Sequence, residues 1–419
     1  LINKFPIMLI DESQDTKKEL VDALLYVYEN HKNWAIGMFG DTMQKIYTDG
    51  KEQLDGIVPK EWAFPQKVMN HRSAARIVEL ANAVRKLSDG KEQRPRSDAK
   101  TGSVRLFIAN TLNNKEQTER LVAEKMSEIT SDIEWQTDTG YECLILEHHM
   151  AASRFSFSDL YTPLHESKEF ESSLTKGEIS EISFLANTIS PLVKAHKASN
   201  TFEIAKIVRQ SSPLLNKKIL ALQPDKQQEK LEQAESATQS LFALWDNGKI
   251  PPCIDVLKNI KESGLYKISE RMEEIIDSTY DGDDPKVIAI KAALNVPFDE
   301  LDRYATYVSD QSRFATHQGV KGLEYPRVVV VLDDSEARGF LFSYEKLFGA
   351  KEKTQTDLKN EKEGKDTSIQ RTARLFYVAC TRAMDSLAVV AYSENPELVR
   401  ATALSNSWFS EEEIEMLDN

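Results

Sequence analysis

Val328-Val329-Val330-Val331-Leu332 is the run that most restricts the fold of this chain. A strand with one wet face alternates polar and apolar residues, and this one does not. An unbroken apolar, β-branched run is typical of a strand buried on both faces, as in parallel sheets covered by helices. Other segments agree. Ile7–Ile10, Trp34–Phe39, Val68-Met69, Val104–Ile108, Cys143–Leu146 and Leu387–Tyr392 read as further strands. Lys17–Tyr28, Ser73–Leu87, Glu116–Ile129 and Thr372–Ala383 carry apolar residues at helical spacing. Ser73 is a plausible N-cap for the second of these. Alternating strands and helices predict an α/β fold with a parallel sheet.

Residues 155–305 change character. Strand-like runs nearly vanish, and helical periodicity fills Glu178–Ala195, Thr201–Arg209, Lys226–Asn247, Ile254–Glu262 and Ile268–Ser278. This reads as an all-helical domain inserted into the α/β one. Ala350–Thr367 is charged and poor in apolar residues, and is expected to be a mobile loop. A length of 419 residues predicts two to four folding units. No apolar run approaches the ~18 residues that a membrane span needs, and no secretory signal opens the sequence. Cys143, Cys253 and Cys380 stand far apart, which fits a reducing cytoplasm. The net charge of −14 argues against tight nonspecific binding of nucleic acid but leaves room for a narrow single-strand channel.

Several short motifs carry chemistry. Asp11-Glu12-Ser13-Gln14-Asp15 closes the first strand, where open α/β sheets bind ligands. Two adjacent carboxylates can divide labour, one holding the Mg²⁺ of a nucleotide and one activating water. The alternative is an acidic helix start with Asp15 or Thr16 as cap. Gly40-Asp41-Thr42-Met43-Gln44-Lys45-Ile46-Tyr47 follows the second strand. Gln44 could hold a γ-phosphate or its water, and Tyr47 could stack on a base. The alternative is an ordinary turn with a buried tyrosine. Arg72, in Asn70-His71-Arg72-Ser73, and Arg382, in Tyr377-Val378-Ala379-Cys380-Thr381-Arg382-Ala383, are of the type that grips phosphate in a fork. A buried ion pair is the other account of Arg382. Gly319-Val320-Lys321-Gly322-Leu323-Glu324 would let backbone and ammonium approach a phosphate.

In this order and spacing the motifs resemble those of UvrD-like superfamily 1 DNA helicases, from motif II to motif VI. Leu144-Ile145-Leu146, followed by Ser153-Arg154, is similar to a minor motif of that family. The resemblance implies RecA-like parallel sheets of a P-loop NTPase motor with an inserted all-helical domain. Residues 1–65 would be the C-terminal part of a first motor domain. Residues 66–154 and 306–400 would form a second, 155–305 a helical insertion and 401–419 a tail. The cofactors would be ATP and Mg²⁺, and the partners single-stranded and duplex DNA, with a nuclease as a further protein partner in an antiphage setting. Asp11 would hold the metal, Glu12 would be the general base, Gln44 the phosphate sensor, and Arg72 and Arg382 the arginine fingers. Asp41, His71, Lys321, Gly322 and Glu324 would line the nucleotide cleft. Tyr47, Ser153, Arg154, His317 and Thr381 would face DNA.

The sequence departs from that pattern in places. His71 stands for a Tyr, Asp49 for a Trp, and Thr372 for a Glu. The motif V histidine is either shifted to His317 or replaced by Gln318. No G-x-x-x-x-G-K-[ST] loop occurs in the 419 residues, so the phosphate cradle is expected upstream of Leu1. A second function class therefore stays open: a nucleic-acid-binding or partner-regulating module with a degenerate ATP site. Asp281-Gly282-Asp283-Asp284 resembles part of a calcium loop but lacks the later ligands, and is expected to be a solvated turn.

Overall fold

The computed structural model describes residues 2–417 except 3, 32, 48–49, 52–53, 217–219, 221–223, 278–281, 283, 310 and 338–340. The chain divides into two compact units, Leu1–Met150 with Arg313–Asn419, and Ala151–Ser312.

The first unit holds all ten strands of the described residues: β1 (Ile7–Ile10), β2 (Ala35–Met38), β3 (Met69–Asn70), β4 (Arg94–Pro95), β5 (Ser103–Ala109), β6 (Glu142–Ile145), β7 (Phe314–Thr316), β8 (Tyr325–Asp333), β9 (Ala383–Tyr392) and β10 (Ile414–Leu417). Six of them form one all-parallel sheet in the order β10-β5-β9-β8-β6-β7. β8 lies between β9 and β6, and Val328–Val331 are wholly buried there. Each such side chain contributes ~1.5–3 kcal/mol through burial, so the valine run fixes the centre of the sheet. β1 and β2 form a separate parallel pair, as do β3 and β4. The α/β fold expected from the sequence is present, with a parallel core of the RecA-like kind and many helices.

The helices Lys18–Asn30, Ala75–Arg85 and Lys115–Thr130 lie where the periodicity places them, whereas the last runs from Ser368 to Cys380 and leaves Ala383 to open β9. Ser73 does not cap its helix; its hydroxyl donates to Ala383 O at 2.8 Å instead. Ala350–Thr367 is not a bare loop. It contains the helix Gln355–Lys362, opened by a Thr354/Asp357 capping box. Asp357 is buried against Lys346 and Ser368, so tertiary contacts form what local apolarity did not signal. After Tyr392 the chain adds the helix Pro396–Ser405, the buried Trp408 and the edge strand β10.

The second unit is helical, with no strand among its described residues. Its core includes Phe157, packed edge-on to Tyr161 and Tyr304, and Tyr304 donates its hydroxyl proton to Leu174 O at 2.6 Å. The calcium-like residues 281 and 283, and Asp49, lie outside the described residues. No helix of the described residues is long and apolar enough to cross a membrane.

Candidate functional site

The acids of the first strand stand at its C-terminal end. β1 stops at Ile10, and Ser13–Asp15 make one tight helical turn. Glu12 joins them in the left-handed backbone region, at φ 49°. A non-glycine residue holds that conformation at a cost of ~1–3 kcal/mol, and such strain clusters at functional sites. The Glu12 amide donates to Asp11 Oδ1 at 2.9 Å. Gln14 is buried and links the two motifs: its Nε2 donates to Glu12 Oε2 at 2.6 Å, and its Oε1 accepts from Asp41 N at 3.1 Å. Gly40 makes this possible, since a Cβ there would lie 2.1 Å from Gln14 Oε1.

Lys321 reaches the same acids. Its ammonium lies 2.9 Å from Glu12 Oε2 and also pairs with Asp15. Gly322, at φ 86°, supplies the turn that follows. Burial alone would raise the Glu12 carboxyl, but hydrogen bonds from Lys321 and Gln14 outweigh it and hold the group below its ordinary value. Asp15 Oδ1 is buried without a hydrogen-bond partner. Among the described residues no group of three or more His, Cys, Asp or Glu could hold a metal by itself. Mg²⁺ commonly takes one or two carboxylates plus substrate phosphates.

The two candidate arginines meet at Thr381. Arg72 donates Nε to Glu324 Oε2 at 2.7 Å and Nη1 to Thr381 O at 3.4 Å. Arg382 is 2% exposed and donates to Val378 O, Leu323 O and Thr381 Oγ1 at 2.9–3.1 Å. No carboxylate forms an ion pair with it among the described residues, which sets aside the buried-pair account. Burial, then the like charge of Arg72, pushes its guanidinium down to about 10. Its guanidinium is thus buried, held by two carbonyls and a hydroxyl, and the neighbouring cation Arg72 is balanced by Glu324. An open cleft of about 460 Å³ adjoins Arg72 and Glu324, with Lys67, His71 and Gln93 also on its walls.

No protein-family model matches the chain. The Gabija protein GajB of Bacillus cereus (strain HuB5-5) is 24% identical to it over 433 residues, 93% of this chain. The chain spans 59% of that relative's length.

The expected residues do not all share one surface. Glu12, Lys321, Arg72, Glu324 and Arg382 gather around the acids and arginines, with His71 on the adjoining cleft. Asp11 is exposed at the strand end. Asp41 is no free ligand for a nucleotide, because its carboxylate accepts from Arg85, Met43 N and Tyr377. Gln44 Nε2 points back to the same carboxylate at 3.5 Å. His317 is wholly buried, bonded through Nε2 to Leu144 O and through Nδ1 to Tyr344 Oη, and burial pushes it down to about 4. It offers no face to DNA; Gln318 is the more exposed neighbour. Thr381 is buried too, its hydroxyl engaged by Val378 O and Arg382. Tyr47 is 45% exposed, as a stacking role requires. Ser153 and Arg154 belong to the second unit, the first exposed and the second buried. Thr372 is wholly buried, donating to Ser368 O and accepting from Ser343 N, so its role here is structural. Sequence reasoning quoted Gln14 within the Asp11–Asp15 motif but gave it no role, and passed over Arg85 and Asp89. Arg85 left one trace, as a charge among the apolar positions of its helix.

Proposed function

We propose that this chain is the larger part of an ATP-dependent DNA helicase or translocase, moving 3′ to 5′ by the family resemblance. One observation carries the reading. Lys321 meets Asp15 from 306 positions away, and Glu324 meets Arg72 from 252 away, so motifs II, IV, V and VI converge within one unit. In this reading Asp11 would hold the Mg²⁺ that arrives with ATP. Glu12 would take the proton of the attacking water, and Gln44 would turn toward the γ-phosphate. Lys321 would exchange the acids for phosphate oxygens. Arg72 and Arg382 would neutralise the charge that develops on the transferring phosphoryl group. The same proposal includes an antiphage setting with a nuclease partner, as the resemblance to UvrD-like helicases implies.

Titration of a fluorescent oligothymidylate with the full chain tests the DNA path. Stacking on one aromatic is worth ~1–3 kcal/mol, so Tyr47→Ala should weaken binding roughly fivefold or more. Unchanged affinity removes Tyr47 from that path. The chain by itself should not hydrolyse ATP, for want of the phosphate loop. Hydrolysis abolished by Glu12→Gln would overturn that expectation.

The alternative, a DNA-binding or partner-regulating module, draws on the Lys321 ammonium occupying the acids. Photolabelling with an azido-ATP separates the two readings. A label at the His71–Arg72 wall favours the motor, and a label confined to other surfaces favours the module.

A further inference from the structure

Arg85 ends the helix Ala75–Arg85 with its side chain 5% exposed. All five of its N–H donors are engaged. Nη1 and Nη2 fork onto the two oxygens of Asp41, each at 2.9 Å. Nε and Nη2 fork onto Asp89 at 3.0 and 2.6 Å, and Nη1 also reaches Tyr377 Oη at 3.1 Å. Only a guanidinium can hold two carboxylates in two planar forks. Burial pulls the Arg85 cation down, but Asp89 and Asp41 outweigh it and hold it above its ordinary value.

What this cluster grips is the turn Thr42–Gln44. Asp41 caps that turn through Met43 N at 3.1 Å and accepts from Gln44 Nε2. Thr42 Oγ1 donates to Asp89 Oδ2 at 3.0 Å. The helix Ser368–Cys380, which leads to Arg382, touches the same turn twice. Tyr377 Oη donates to Asp41 at 3.2 Å, and Arg374 Nε donates to Lys45 O at 2.8 Å. Tyr377 Oη in turn accepts from Gln93 Nε2. One buried cation thus fixes the turn bearing Gln44 against both the helix behind Arg72 and the helix before Arg382.

We propose that Arg85 is a positioning residue: it sets the Gln44 turn in register with the arginines by locking Asp41. Its consequence for catalysis rests on the proposed reading of Gln44 as a phosphate-facing group, but the lock is a property of the nucleotide-free chain.

Amide exchange on the full chain tests it. In Arg85→Lys, exchange at Met43–Lys45 should rise at least tenfold while Val329–Val331 in β8 stay unchanged. A part that merely stabilises the unit would move both sets together. Tyr377→Phe serves if Arg85→Lys does not fold. It keeps both forks, removes one hydroxyl, and should raise exchange at the same amides about threefold. No rise at Met43–Lys45, or an equal rise in β8, overturns the lock. The lock is read from those amides in the nucleotide-free chain, so it stands or falls separately from the reading of Gln44 as a phosphate-facing group.

Discussion

Lys321 is shared by two carboxylates, and its removal should be felt through Glu12. The Glu12 carboxyl is held below its ordinary value although burial alone would raise it. A carboxyl depressed in the folded state stabilises above its unfolded pKa, and that stability is lost as pH falls through the folded value. Its side chain is 46% exposed, so solvent screening keeps the pair at ~0–1 kcal/mol. Lys321→Met should lower the Tm by about 2–4 °C at pH 7, the shift that ~1 kcal/mol gives in a unit of this size. The gap to wild type should close as pH falls below the ordinary carboxylate range, in scans stepped downward from pH 7. A gap indifferent to pH would mean that Glu12 does not hold Lys321. Gly40→Ala acts by a different cause. Its Cβ would lie 2.1 Å from Gln14 Oε1 and 2.9 Å from Ser13 Oγ. Overpacking of that kind costs ~1–3 kcal/mol, read as a lower urea midpoint with unchanged slope. The acids and arginines of this site were legible because each motif is local. Gln14 and Gly40 stand in those motifs, but what they touch was not legible, nor was Arg85 at all, because their reasons lie across the fold: the Arg85–Tyr377 bond spans 292 positions.

Among the elements, β1 and β2 depart furthest from what a parallel pair normally has. Parallel strands are covered on both faces. Here Ile7 and Leu9 are 65% and 66% exposed, and Phe5 and Phe39 are about half exposed. Gly37 sits against the Leu9 and Phe39 side chains on that apolar face. Contiguous apolar surface of this kind drives association. The chain alone should therefore self-associate with rising concentration, and Ile7→Lys with Leu9→Lys should suppress it in sedimentation velocity without lowering Tm. Equal sedimentation of the two proteins would show that the face does not self-associate. Apolar runs, more than strand length, explain what was read and what was not. β8 and β9 announced themselves by long apolar runs. β7 and β10 have three and four residues and carry no such run. They are strands because β6 and β5 supply their partners.

The whole chain is a sheet assembled from two sequence segments, with a helical unit between them. β6 precedes the helical unit and β7 follows it, yet the two pair in parallel. β5 pairs with β9 and β10, and β6 with β7 and β8, so each neighbour of β5 and β6 comes from beyond Arg313. A fragment of residues 1–150 would leave both strands without hydrogen-bonded partners and Val104, Leu106, Phe107 and Leu144 without cover. The helical unit faces no such obstacle. Its long-range contacts, such as Tyr304 with Leu174 and Glu300 with Leu160, close within the unit, its core holds Leu160, Leu192, Leu257, Ile290 and Leu301 wholly buried, and its length is that of an ordinary domain. Residues 148–312, begun at His148 to keep the helix His148–Arg154 whole, should thus give a helical circular dichroism spectrum and one cooperative urea transition. Residues 1–150 should give neither a cooperative transition nor dispersed amide resonances. Adding residues 313–419 in trans should restore both to the second fragment, because they carry every missing strand. Cooperative folding of residues 1–150 alone would refute this dependence, and a non-cooperative melt of residues 148–312 would show that the helical unit draws its stability from the sheet.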